Sequence, residues 1–312
     1  MSRRSAIAVR ALVLAALAAL VVLGALYRLA GPGDGARDVA PGAAPDAASD
    51  AAPDAAPTVV FIVVDMLRAD TVSACGYDRP TTPVLDRLRR DPAGAFTCRA
   101  YTPGTWTLPS HASYLTGEEV PVHGADGMLD AEGAESVSLW GDRVRPLASN
   151  LPTLAEELGE RGYRTALVSG NPVVSRWSAT GLARGFDVVR ASRQFGDLYG
   201  DDLVRALGEA LDESAAAGGD APLFLFVNVC DAHHPWAAIP PGLGWLPPRI
   251  ALDNRPRDPN NPYPRFYRDE LSAAERALFL DLIRDSYDYA VHRADRTLGA
   301  VLELLEIGRA HV

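Results

Sequence analysis

Two unbroken apolar runs, TVVFIVV at 58–64 and PLFLFVNV at 222–229, restrict the fold of this chain more than any other feature. A strand with one wet face alternates apolar and polar residues. These runs carry β-branched and aromatic side chains on both faces, as strands do when helices cover a parallel or mixed sheet from each side. A third strand is expected at 163–169, and a short one at 96–101. Helices fit between them. Thr82 caps one with Pro83 at its first position, Pro109 opens another that stops at Gly117, 152–161 is closed by Gly162, and 271–306 forms one or two long helices. Strands alternating with helices predict an α/β fold, an α/β/α sandwich with a mixed, mostly parallel central sheet. Ligands in such folds sit beyond the carboxyl ends of the strands, where Asp65, the 169–171 segment and the 231–233 segment fall.

The N-terminus has a different character. Arg3, Arg4 and Arg10 precede an apolar run from Ala11 to Tyr27. A positive start before a run apolar on every face predicts export, with 1–30 as one transmembrane signal-anchor, or a signal peptide if it is cleaved. The excess of arginine before the run puts the body outside, facing a periplasm or extracellular space. Residues 31–57, almost all Ala, Pro, Gly and Asp, are too poor in apolar surface to fold and read as a disordered linker. The folded body is expected over 58–306. Within it, 235–264 is long and rich in Pro and aromatics, reading equally as a substrate-covering loop or as an insertion.

Forty acidic against 30 basic residues give a net charge of −10, which opposes a nucleic-acid partner. Cys75, Cys98 and Cys230 match neither a zinc ribbon nor a redox pair and read as small buried residues flanking strands, with no disulfide assignable.

The chemistry concentrates in TWTLPSHASYLTG, 105–117. A hydroxyl at Thr107, just before a helix, faces the positive end of the helix dipole and its free N–H groups, which suits a nucleophile that acts on a bound anion. Taken alone, the segment reads first as Thr107 capping a structural helix.

This segment resembles the sulfatase signature C/S-x-P-S-R-x-x-x-L-T-G, with Thr107, Pro109, Ser110, Leu115, Thr116 and Gly117 in register. Other landmarks of the sulfatase-like branch of the alkaline phosphatase superfamily follow in order: the strand ending at Asp65, TTPVLDRL, LPTLAEELGERGYRTALVSGN, NVCDAHHPW and YDYAVHRADRTLGAVLELLE. The resemblance implies a metal-dependent hydrolase or transferase of phosphate or sulfate esters. Asp65 and Thr107 would hold a divalent cation (calcium, zinc or manganese), and Thr107 would be the nucleophile. His111 would support it in place of the family's arginine, His233 would meet substrate as a general acid, and Asn171 would stand at the place of the sulfate-contacting lysine. His123 reads as packing, His234 as a loop residue. The substrate implied is a small-molecule, glycan or lipid ester.

Three departures shift the chemistry. Threonine at 107 does not yield the formylglycine that sulfatases make from Cys or Ser, Met66 replaces the second of the paired aspartates, and Asn171 removes a charge. Together they favour phosphate-ester cleavage or transfer. A rival reading is a non-catalytic, membrane-tethered binding protein that kept the fold. The family's second metal motif has no counterpart before the last six residues, IGRAHV at 307–312. These match the translation of a sequencing adapter and are expected to be non-native. The natural protein is expected to continue, and the fragment to be inactive by itself.

Overall fold

The computed structural model describes residues 56–127, 136–218, 220–249 and 263–309. The chain divides into two compact units, Met1–Asp54 and Ala55–Val312, and every described residue lies in the second. The expected N-terminal span and nearly all of the linker fall outside the described residues. Among those described, no helix is long and apolar enough to cross a membrane.

In chain order the elements are β1 (Val59–Val64), α1 (Pro83–Leu88), α2 (Thr107–Thr116), α3 (Val120–His123), β2 (Asp126–Gly127), β3 (Val137–Leu139), β4 (Asp142–Arg145), α4 (Leu154–Glu160), β5 (Arg164–Ser169), β6 (Val188–Ala191), α5 (Asp201–Gly218), β7 (Leu223–Val229), α6 (Tyr263–Tyr267) and α7 (Ala273–Arg309). The main sheet runs β1-β7-β5-β6, and all of its pairings are parallel. A small antiparallel sheet, β2-β4-β3, lies apart from it.

The two-faced apolar runs account for the layers. Along β7, Leu225, Val227 and Val229 pack with α5 and α7 residues such as Leu203, Leu207, Ala294 and Val301. The alternate residues Phe224 and Phe226 face Leu108, Leu115 and Leu182 on the other side. Each fully buried phenylalanine stabilises the fold by about 1.5–3 kcal/mol relative to exposure. All seven β7 residues are buried, whereas β1 is half-buried throughout. The expectation of two covered faces holds for β7. On β1, only one edge has a strand partner among the described residues.

Local signals explain the boundaries. Thr153 accepts from Glu156 N–H (3.2 Å) and Glu156 returns a bond to Thr153 N–H (2.8 Å), a reciprocal cap that starts α4. At α1 the expected cap by Thr82 is absent. Its hydroxyl bonds Ser73 instead, and Asp295 of α7 accepts from the N–H groups of Val84 (2.7 Å) and Leu85 (3.1 Å). A carboxylate from a distant helix has taken the capping role. The helix expected from Pro109 begins two residues earlier, at Thr107, with Trp106 as its extended N-cap.

Two further expectations are corrected. Residues 96–101 form no strand, for no described strand lies beside them and the segment is exposed. Cys98 in that segment is disulfide-bonded to Cys75 across 23 residues, while Cys230 is free and buried. The C-terminal region is one helix, α7. It is tied to the chain after β1 by Arg79, which donates to Asp285 (2.9 Å) and Asp288 (2.6 Å), and by Tyr77, which donates to Asp288 (2.8 Å).

Candidate active site

Asp65 follows the last residue of β1, and its N–H donates to Val229 at the end of β7 (2.8 Å). The next residue, Met66, has φ 57°, a left-handed conformation that a non-glycine residue keeps only when its surroundings enforce it. Tyr287 of α7 supplies the enforcement. Its hydroxyl donates to the Met66 carbonyl (2.5 Å) and accepts from Arg68 N–H (3.0 Å). Burial pushes the phenol pKa up, which keeps the donor proton in place.

Thr107 is the first residue of α2. By helix geometry the N–H groups of Thr107 and Leu108 have no carbonyl within the helix to bond, and Pro109 has none to offer. One turn on, His111 reaches back, and its Nδ1 donates to the Thr107 carbonyl (2.9 Å). That bond fixes the tautomer, leaving Nε2 to accept from the Asn228 amide (2.9 Å). Burial pushes the His111 pKa down, against the opposing pull of the Asp65 charge, so the ring is neutral. Both of its nitrogens are engaged, and neither bonds the Thr107 hydroxyl.

Asn171 lies just past the end of β5. Its Oδ1 accepts from Val173 N–H (2.9 Å), which turns Nδ2 toward the site. From there Nδ2 donates to Asp65 Oδ2 (2.6 Å) and to Thr107 Oγ1 (2.9 Å). The preceding Gly170 is required by space. A Cβ there would lie 2.8 Å from the Leu198 carbonyl oxygen and 2.9 Å from Cys230 Cβ. Asn171 was expected to meet substrate, but the structure buries it completely behind Asp65 and Thr107.

Asp65, Thr107, His111 and His233 line one cavity of about 300 Å³, together with Trp106 and Tyr114. The His233 ring stacks on Phe195 (3.8 Å between centroids), and its Nδ1 donates to the His234 carbonyl (2.8 Å). His123 lies elsewhere, buried, accepting from Ala125 N–H (3.0 Å) and bonded to Ser113 Oγ (3.0 Å).

Sequence reasoning missed Asn228, which sits between His111 and Asp65 and also approaches Asp65 Oδ2 (3.4 Å). It is the one polar residue in an otherwise apolar β7, which was the available signal. Tyr287 gave no such signal inside a long helix rich in charged residues.

For a divalent cation the donor chemistry fits. A carboxylate and a hydroxyl oxygen converge, and the neighbouring Asn228 Oδ1 is a buried acceptor without a hydrogen-bond partner. Among the described residues, however, no group of three or more His, Cys, Asp or Glu stands close enough to hold a metal.

Known proteins are similar to this chain in sequence or in fold. Arylsulfatase H of Homo sapiens is 30% identical over 110 residues, 35% of this chain and 19% of that protein. The phosphonate monoester hydrolase of Agrobacterium radiobacter superposes with a TM-score of 0.54 at 20% identity, over 80% of this chain and 59% of that one. The C-terminal periplasmic domain of EcEptC from Escherichia coli, in complex with Zn, gives 0.51 at 17% identity, over 81% and 60%. This chain therefore spans less than two thirds of each of these relatives. A family model described as Sulfatase matches residues 57–310, which takes in every described residue but the first, and by that match the chain belongs to the sulfatase family.

Proposed function

We propose that this protein is a metal-assisted hydrolase or transferase of phosphate or sulfate esters that works through Thr107. The observation that carries this reading is the single amide nitrogen of Asn171, which touches both the Asp65 carboxylate and the Thr107 hydroxyl at the end of a cavity. A divalent cation on Asp65 and Thr107 would supply Lewis-acid polarisation of the ester oxygens.

The remaining chemistry falls to the chain itself. Thr107 Oγ attacks phosphorus or sulfur and gives up its proton to solvent. The Asn171 donor and the α2 N-terminus stabilise the anionic oxygen as it forms. The new bond joins Oγ to the acidic centre, and the bond to the alcohol oxygen breaks. His233, acting as general acid through Nε2, delivers a proton to that departing oxygen. Water, or an acceptor alcohol in a transferase, then displaces Thr107 Oγ and regenerates it. His111 does not touch the reacting atoms. Its bond to the Thr107 carbonyl holds the first turn of α2 in place.

Relatives stand on both sides of the substrate question, an arylsulfatase similar in sequence over 110 residues and a phosphonate monoester hydrolase similar in fold. Threonine in place of a formylglycine precursor favours phosphorus. The Cys75–Cys98 disulfide suits an oxidising compartment, which supports a site of action outside the cytoplasm, with residues 1–30 as its membrane anchor.

The test is turnover of aryl phosphate and aryl sulfate by the complete gene product, with its bound metal measured. Thr107→Ala is expected to abolish turnover of the preferred ester. Undiminished turnover in that variant removes Thr107 as the nucleophile. A protein that binds no metal and leaves both esters intact is instead a non-catalytic binding protein on the same fold.

A further inference from the structure

We propose that a second cavity beside the Thr107 pocket seats the alcohol half of the ester, and that Trp140 selects alcohols built on a flat ring. The proposal rests on the reading of the Asp65–Thr107 cavity as the reacting site, and it names what that site admits.

Trp106 joins the two spaces. It lines the Thr107 cavity and also a neighbouring one of about 490 Å³ whose walls include Leu139, Trp140 and Arg143. Its indole is held in place, since Nε1 donates to Asp126 Oδ1 (2.7 Å). An alcohol released from the phosphorus or sulfur bound at Thr107 therefore leaves beside Trp106, which also lines the adjoining space.

Trp140 is placed there against its own preference. Leu139 and Asp142 are paired across the β3–β4 hairpin, so Trp140 and Gly141 form a two-residue turn, with φ of 50° and 97°. A turn with both central residues at positive φ favours Asn, Asp or Gly, and a bulky side chain at the first of them is strained. The indole is also 66% exposed, leaving a large apolar ring in water. Strain and exposure together, at the mouth of a cavity, point to a ligand as the missing partner.

A second line of rings reaches the same place. Trp140 packs on Phe195 (5.6 Å between centroids), and Phe195 stacks on His233, the proposed acid. Ring contacts thus connect His233 to Trp140 through Phe195, while the exposed Asp142 and Arg143 beside Trp140 carry opposite charges and offer polar contacts around a ring. A pyranose, with its axial C–H groups, and an aryl group share the flat apolar face that stacks on such a wall. A short acyclic alcohol has no such face.

Three phosphate esters separate these cases: glucose phosphate, nitrophenyl phosphate and ethyl phosphate. With the complete gene product, the ratio of KM for ethyl phosphate to KM for the better ring ester is the readout. Trp140→Ala is expected to lower that ratio about tenfold, the factor that about 1.4 kcal/mol of ring stacking supplies. Trp140→Tyr is expected to restore most of it. Trp177→Ala, which removes an exposed tryptophan lining neither cavity, is expected to leave it unchanged. The ring ester that loses more on Trp140→Ala identifies sugar or aryl as the occupant. Equal loss for all three esters, or no ring preference in the unaltered protein, overturns the proposal. If no ester is turned over, the reacting-site reading fails by itself. The same ratio, read calorimetrically as dissociation constants, then decides the ring subsite independently.

Discussion

Asn171 donates to the Thr107 hydroxyl at 2.9 Å from the same nitrogen that donates to Asp65 at 2.6 Å, so a residue just past the end of β5 sets the distance between that hydroxyl and the carboxylate. This bond is more useful to the threonine oxygen as an anion than as a hydroxyl. Asn171→Ala is therefore expected to lower kcat by about 10²-fold, in the range for loss of one preorganised donor, with little change in KM. Steady-state kinetics check this. A rise in KM at constant kcat would instead place Asn171 in ground-state binding.

Tyr287 acts on the same site from α7. Tyr287→Phe deletes the donor to the Met66 carbonyl and the acceptor for Arg68 N–H while keeping the ring. It is expected to destabilise the fold by about 1–3 kcal/mol, since two partners lose their bonds, and to lower turnover as the backbone beside Asp65 relaxes. Chemical denaturation together with kinetics tests both parts. Full stability with unaltered turnover would show that Met66 keeps its conformation without the clamp.

Burial pushes the His123 pKa below its ordinary 6.5, and the unfolded chain therefore takes up a proton that the folded one refuses. The sign follows from linkage. Below pH 6.5 and down to the depressed folded value, the unfolded state binds more protons, so stability falls as pH falls, by up to about 1.4 kcal/mol per pH unit. Above 6.5 the contribution is flat. His292, lowered by burial as well, adds in the same direction. The buried carboxyls of Asp231, Asp288 and Asp295 are raised by burial and oppose this trend between 3.8 and their folded values. Denaturation midpoints across pH 5–7 are expected to show a shallower slope in His123→Gln. An unchanged slope would show that His123 takes up its proton alike in the folded and unfolded states.

The disulfide closes a loop of 23 residues that carries none of the site residues. Its reduction is expected to destabilise the protein by about 2–4 kcal/mol, with substrate affinity little changed. Thiol titration of the denatured protein offers a direct count. One reactive thiol before reduction, from Cys230, and three afterwards are expected, and three before reduction would show that the bridge does not form.

The layered architecture was legible because two-faced apolar runs leave a strand few other places to go, and Phe224 and Leu225 lie on opposite faces of β7 as that pattern requires. Asp65, Thr107, His111 and His233 were picked out by the resemblance to the sulfatase landmarks, and they line one cavity. What was not legible depends on partners far away in sequence. The α1 cap comes from Asp295, some two hundred residues downstream of it, so the local preference of Thr82 for that role was overridden. The pairing of Cys75 with Cys98 depends on where two loops pass each other, which spacing alone does not encode. The place of Asn171 behind the site rather than at its wall was set by the Val173 N–H that turns its amide inward.

The order of strands also bears on how the molecule is made. β1 carries Asp65, yet its strand partner in the sheet is β7, with Val59 opposite Phe224, more than half the chain later. The intervening sequence must emerge before that ladder closes, so the earliest strand waits longest for its neighbour, and the loop entropy of so distant a pairing slows the step. During synthesis an apolar segment rich in valine stays without its neighbour. Holdase chaperones are then the expected guardians of this interval, and the Asp65 carboxylate is among the last features of the protein to reach its final position.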